Sequence, residues 1–300
     1  MKVSIVTVSH NSARTIDETI RSVLSQEGVE VEYLVVDGAS QDGTTEIIRK
    51  YEAQLAWWVS EPDRGQVDAL NKGFARLTGD VLGFLNADDV LIPGALREVC
   101  ARFIREPSAD MVYGGVEWID MDGCILGSHH GEISSLEDIL DVFEVWWKER
   151  QWVQPEVFFR RSLKDRVGLF DERYHLAFDY DFWVRCFLAG AKTSRLTTPL
   201  VRFRRHAAQK STAYQRAIDE ILTSLSTHLS SRPPIGLWKQ YELRARLAYT
   251  RYQSSPVERR TPFASALLRN PGWLLSPDVR RRIFPWLFED RSQARPFVDR

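Results

Sequence analysis

From Lys2 to Asp89 apolar runs of strand length alternate with helix-period stretches, and this alternation restricts the chain to very few folds. Lys2 to Ser9 reads as a buried strand rich in Val and Ile. Asn11-Ser12 then caps a pattern that places Ile16, Ile20, Val23 and Leu24 on one face. A second run, Val31 to Val36, ends at Asp37-Gly38, and Asp42-Gly43-Thr44-Thr45 opens a helix through Ile47, Ile48 and Tyr51. Trp57 to Ser60 leads through Glu61-Pro62-Asp63-Arg64-Gly65 into an amphipathic stretch from Val67 to Leu77. Asp80 to Leu85 is a further strand that stops at Asn86-Ala87-Asp88-Asp89. Strands separated by helices of this length require parallel crossovers, hence an α/β fold with a mostly parallel, Rossmann-like sheet flanked by helices. Ligands of such sheets sit beyond the carboxyl ends of the strands, and Asp37, Asp63 and Asp88 all fall there.

After Met111 the runs shorten (Met111 to Tyr113, Val116 to Ile119, Val157 to Phe159), which predicts an α+β second part. Beyond Ser211 the chain reads as mainly helical with proline interruptions, Pro233-Pro234 among them. The expected organisation is a body of residues 1–212, divided at 110/111, and a helical, basic extension over 213–300.

Hydrophobic residues make up 44% and charged residues 27% of the chain, enough apolar content for a sizeable core. Cys100, Cys124 and Cys186 are widely spaced with no CxxC pair, so neither a disulfide framework nor a zinc site is expected, and a reducing, cytoplasmic setting fits. No signal peptide is expected from the opening segment, and no run reaches the roughly 18 apolar residues of a spanning helix. The formal net charge of −1 hides an asymmetry: residues 214–300 hold 15 Lys+Arg against 8 Asp+Glu. With Trp238, Trp273 and Trp286 interleaved, that tail either contacts an anionic surface or is a solvated helical face.

Two clusters carry chemistry by residue type alone. Asp37, at a strand end, suits hydrogen bonds from a base edge or a ribose, as an acid does in dinucleotide folds. Asn86-Ala87-Asp88-Asp89 gathers carboxylate and carbonyl oxygens, hard ligands appropriate to Mg²⁺ or Mn²⁺.

Five blocks in order (Thr7-Val8-Ser9-His10-Asn11, Val36 to Thr44, Ser60 to Gly65, Asp68 to Gly73, and Leu85 to Asp89) resemble family 2 glycosyltransferases of the GT-A fold. The likeness resumes at Gln154 to Arg161, Gly168 to Glu172 and Asp179 to Arg185 and fades after about residue 212. It implies transfer of a sugar, with inversion, from a UDP- or GDP-sugar to a saccharide or lipid-linked saccharide, in polysaccharide or glycoconjugate biosynthesis. Residues 1–110 would bind the nucleotide sugar and 111–212 the acceptor. Carried over by position, the backbone of Thr7, Val8 and Ser9 with Asp37 would hold the base, and Asp63 with Asn71 would line the ribose and diphosphate. Asn86, Ala87 and Asp88 form the DxD-like element, with Asp88 as the metal-binding acid and Asn86 in place of the first one, which removes a charge. His206 resembles a late histidine that reaches the metal or the diphosphate, and a surface basic strand end explains it equally; Arg204 and Arg205 beside it suit phosphate oxygens. Asp179 aligns with the base, Asp181 is its rival two residues on, and Gln154 with Trp152 would face the acceptor.

The cofactor so implied is a divalent metal, the donor a nucleotide sugar, with no nucleic acid partner. The place is the cytoplasm, with peripheral contact at the inner membrane face through the C-terminal segment. Two other readings stand beside this one. A nucleotidyltransferase would need a Gly- and Lys-containing loop after the first strand, which Ser9-His10-Asn11-Ser12 lacks. An inactive sugar-nucleotide-binding module or complex subunit would explain the loss of the first DxD acid.

Overall fold

The computed structural model describes residues 1–146, 148–206, 209, 214–254, 263–276 and 279–280. Its first strands and helices follow the apolar runs closely: β1 (Lys2–Ser9), α1 (Ile16–Leu24), β2 (Glu30–Asp37), α2 (Thr44–Arg49), β3 (Trp57–Ser60), α3 (Gln66–Phe74) and β4 (Val81–Asn86). β3, β2, β1 and β4 lie side by side and parallel, so Ser9 pairs with Asp37, Asp37 with Ser60, and Val8 with Asn86. The polar strand ends therefore meet along one edge of the sheet, where alternation makes register decisive.

Asn11-Ser12 is not the helix cap expected. The Ser12 carbonyl accepts the Thr15 and Ile16 amides, and Thr15 occupies the cap position. Asn11 instead adopts a left-handed φ of 50° and its side-chain Oδ1 accepts the Gln41 amide. The Asp42 turn behaves as predicted, accepting the Thr44 amide and hydroxyl.

The second half runs β5 (Val90–Leu91), α4 (Ala95–Arg105), β6 (Met111–Ile119), β7 (Ile125–His129), α5 (Leu136–Leu140), α6 (Val142–Val145), β8 (Val157–Arg160), α7 (Arg161–Val167), α8 (Phe178–Leu188) and β9 (Thr193–Arg204). The sheet continues as β4-β8-β6-β9-β5, with β7 on β6, and here most pairings are antiparallel. Met111 to Tyr113 and Val116 to Ile119, read from sequence as two strands, are one strand with a register shift at Gly114-Gly115. A Cβ on Gly115 would stand 2.2 Å from the His130 ring, so close approach rather than a turn explains that glycine.

Each face of the sheet has its own packing. Val3, Ile5 and Val35 point to one side and pack with Ile16, Ile20, Ile48 and Leu96. On the other, α3 lies so near β1 that a Cβ on Gly73 would come within 2.6 Å of Val6. There Phe74, Phe84, Phe159, Phe170, Phe178 and Phe182 form an aromatic cluster with ring centroids mostly 5–6 Å apart.

Beyond β9 lie α9 (Tyr214–Ser230), α10 (Leu237–Ser254) and α11 (Phe263–Arg269). The chain separates into two compact units, Met1–Ser224 and Leu225–Arg300. The second is built around Ala245, Tyr249, Tyr252, Ala266 and Trp273. Trp273 is therefore a core residue and not a surface one, Trp238 is 68% exposed, and Trp286 lies outside the described residues. Among the described residues no helix is long and apolar enough to cross a membrane.

Candidate active site

A cleft of about 1600 Å³ opens at the carboxyl ends of the parallel strands. That exceeds the 300–1,000 Å³ usual for one drug-sized ligand and leaves room for two substrates. Val8, Ser9, Asp63, Asn86, Ala87, Asp88, Trp152, Gln154, Asp179 and His206 line it, so ten of the residues singled out in the sequence are brought together.

Asp88 follows β4 and its Oδ2 accepts a hydrogen bond from His206 Nε2 at 3.0 Å, across 118 residues of chain. Both side chains remain part-exposed to the cleft. Behind them Arg204, 2% exposed, donates from Nε to the Asp88 carbonyl, from Nη1 to the Asp120 carbonyl and from Nη2 to Glu18. Its amide bonds Asp89, whose buried carboxyl is pushed well up by desolvation and by the Asp88 charge. Arg204 is thus committed to the structure and does not clamp phosphate. Arg205, one residue on and so on the other side of the chain, lines the cleft with its guanidinium 4.0 Å over Trp118.

Asn86 is held on three sides. It accepts from Gln66 Nε2 (2.8 Å) and donates to Asp89 (3.1 Å) and to Gln154 Oε1 (3.0 Å), while Gln154 Nε2 donates to the Phe84 carbonyl. Asp63 accepts the Gly65 amide, and its carboxylate fills the space where a Cβ of Gly38 would stand, 2.5 Å from Oδ2.

Asp179 sits in the first turn of α8. Phe178 packs on Phe84 and Phe170, and the Glu220 carboxylate of α9 accepts the Leu176 and Ala177 amides at 2.7 and 3.1 Å, which fixes the entry to that turn. Loss of water raises the Asp179 carboxyl to about 6, aided by the Glu220 charge and opposed by the Tyr180 amide. Asp181 lies on another face: 3% exposed, it bonds Arg185 at 2.8 Å and the Ser224 hydroxyl at 3.2 Å, and it does not line the cleft.

Three further residues singled out in the sequence have side chains engaged within the fold. Asp37 is fully buried and its carboxylate is occupied by the Ser9, Ser40 and Ser60 hydroxyls and the Ser40 amide, so it ties strand ends together and does not reach the cleft. The Thr7 side chain turns into the core, where its hydroxyl accepts from Tyr33, so only its backbone is left to the site. Asn71 clamps the Phe170 amide and carbonyl with both ends of its own amide. Cleft residues that the sequence did not single out as ligand contacts include Gln66, Trp118, Tyr180, Ile218 and Ile221. Only helical spacing signals the last two.

A parallel half-sheet carrying an acid-histidine pair at one strand end, joined to a mixed half that brings a second carboxylate to the same cleft, is the GT-A architecture of sugar-nucleotide enzymes. The family model described as glycosyl transferase family 2 matches residues 4–167, and the chain belongs to that family. A PGL/p-HBAD biosynthesis glycosyltransferase of Mycobacterium bovis is 31% identical over 200 residues, covering 64% of this chain and 72% of that one. The fold is shared with S. aureus TarS 1–349 in complex with UDP-GlcNAc (TM-score 0.63, 19% identity, 94% of this chain and 81% of that one). It is shared also with a mannosyltransferase of Pyrobaculum calidifontis in complex with GDP-Man and Mn²⁺ (TM-score 0.58, 17% identity, 93% and 82%). Against the longer TarS chain, the match spans 44% of that protein.

Proposed function

We propose that this glycosyltransferase moves a sugar from a nucleoside-diphosphate donor to an acceptor hydroxyl with inversion, and that the residues 1–110 half holds the donor and 111–212 the acceptor. The observation that carries the reading is one cleft containing both the Asp88–His206 pair and the raised carboxyl of Asp179. Solved relatives of the same fold hold UDP, UDP-GlcNAc and GDP-Man, which supports a UDP- or GDP-sugar.

In the displacement the acceptor oxygen bonds to the anomeric carbon from the face opposite the departing diphosphate. Asp179 takes the hydroxyl proton, and the nucleoside diphosphate leaves with the electron pair of the broken bond. The donor set fits a divalent cation: one carboxylate and one imidazole suit Mn²⁺ or Mg²⁺ when substrate phosphates and water complete the shell. Among the described residues there is no cluster of three or more His, Cys, Asp or Glu side chains that could hold a metal unaided. Asp88 and His206 would hold the ion, which when bound neutralises charge on the leaving diphosphate. Asn86, engaged with Gln66, Asp89 and Gln154, then serves to position the turn and not to ligate.

The test is a screen of sugar nucleotides with Mn²⁺ or Mg²⁺, read by free nucleoside diphosphate. We expect release with a UDP- or GDP-sugar that disappears with EDTA. Donor binding without release under every condition would reassign the protein as a binding module.

The exposed Leu237, Trp238 and Tyr241 of α10 are the surface we assign to peripheral contact with the cytoplasmic membrane face. Trp238→Ser is expected to weaken cosedimentation with anionic vesicles several-fold. Equal sedimentation of variant and wild type would remove the membrane from this proposal.

A further inference from the structure

The cleft lining is of two chemical kinds: His10, Asp63, Asn86, Asp88 and His206 are polar, with Gln151 and His175 as further polar members, whereas Val142, Trp146, Leu176, Ile218 and Ile221 are apolar. Their closeness to Asp179 follows from the chain. Leu176 precedes it by three residues, Glu220 of α9 grips the Leu176 and Ala177 amides, and Trp146 meets Tyr180 edge-on at 5.1 Å. Four of these five side chains stay part-exposed inside a concave site, where each apolar Å² left in water costs about 25 cal/mol. The hydroxyl of Tyr180, itself 1% exposed and part of the same lining, has no hydrogen-bond partner among the described residues.

A wholly hydroxylated acceptor is a poor match for this wall. Branched aliphatic side chains accept no hydrogen bonds, so sugar hydroxyls pressed against Leu176, Ile218 and Ile221 would lose their water without replacement. An apolar group gains by displacing that water. Whatever presents its hydroxyl to Asp179 lies against this surface, which identifies the occupant as the acceptor.

Building on the transferase reading above, we propose that α9 and the Leu176–Phe178 loop form an acceptor subsite for an alkyl or aryl group carried next to the reacting hydroxyl. The acceptor is then an amphipathic glycoside or a hydroxylated apolar molecule, not a free sugar. Ile218 and Ile221 of this wall come from a helix beyond the residues that the family model matches.

Calorimetry of the full chain with glucose, octyl glucoside below its micelle concentration and phenyl glucoside tests the subsite without turnover. Octyl or phenyl glucoside should bind about tenfold or more tightly than glucose, the better of the two telling alkyl from aryl. Ile218→Ser with Ile221→Ser should abolish the difference while affinity for the donor nucleotide is unchanged, which controls for folding; Leu176→Ser, on a separate element, should do the same. Equal binding of glucose and both glycosides by wild type overturns the inference, as does a difference that survives in both variants. If glycosides bind selectively but no nucleoside diphosphate is ever released, the transferase reading fails and the subsite stands. If release occurs without selectivity, the reverse holds.

Discussion

Asp179→Asn is expected to lower the turnover of sugar transfer by about 10²–10⁴-fold, the range a positioned general base contributes, with donor binding unchanged. Asparagine keeps the size of the side chain and its contact with the Tyr180 amide but cannot take a proton. The rest of the site stays in place, because Phe178 and the Glu220 brace hold the turn independently of the Asp179 charge. Protonation supplies a second readout. The base works only when ionised, so kcat/KM for wild type should rise with pH up to a limb near 6 and fall about tenfold for each unit below it. In the asparagine variant that limb should vanish. Asp181→Asn gives the contrast: its carboxylate is buried against Arg185 and Ser224, so the loss falls on stability and the limb persists. Full transfer by Asp179→Asn, or a limb that survives in it, removes Asp179 from the chemistry.

Asp88→Ala should cost about 10²–10³-fold in kcat/KM, on the scale of losing one charge-stabilising group at a departing oxyanion. The variant deletes the only carboxylate of the pair and leaves His206 as a single nitrogen donor. Higher metal concentration is therefore needed for half-maximal activity, which a Mn²⁺ titration of nucleoside diphosphate release measures. Folding should survive, since the Asp88 side chain is part-exposed and Arg204 grips its carbonyl, which alanine retains. An unchanged metal dependence would place the cation elsewhere.

The parallel half was legible because strands buried on both faces read as continuous apolar runs, and β1, β2 and β4 fall on them, with the part-exposed β3 at the edge. Strand-end position likewise pointed to Asp63 and Asp88, and both line the cleft. What each side chain does there depends on partners distant in sequence. Asp37 looked like a ligand contact, yet Ser9 and Ser60 converge on it only because β1, β2 and β3 share a register, and Ser40 joins them from the turn that follows β2. Asn71 is claimed by Phe170, 99 residues away. Arg204 and Arg205 are chemically equal neighbours, and pairing of β9 with β5 and β6 decides which enters the core. β9 itself, twelve residues with Pro199 inside and charged residues interspersed, has neither the apolar run nor the clean alternation that marks a strand. The apolar wall of α9 rests on Ala217, Ile218 and Ile221, a spacing common to any helix with a buried stripe.

Glu220 carries one more implication, for descent. The recognisable motifs end well before α9, so a recombination event that exchanged everything after them would look harmless at the level of pattern. It would strip the Leu176 and Ala177 amides of their shared acceptor and free the turn that presents Asp179. Heritable variation in what the enzyme glycosylates is therefore expected to arise within α9 by point substitution, on an unchanged Glu220, and not by swapping the tail as a cassette.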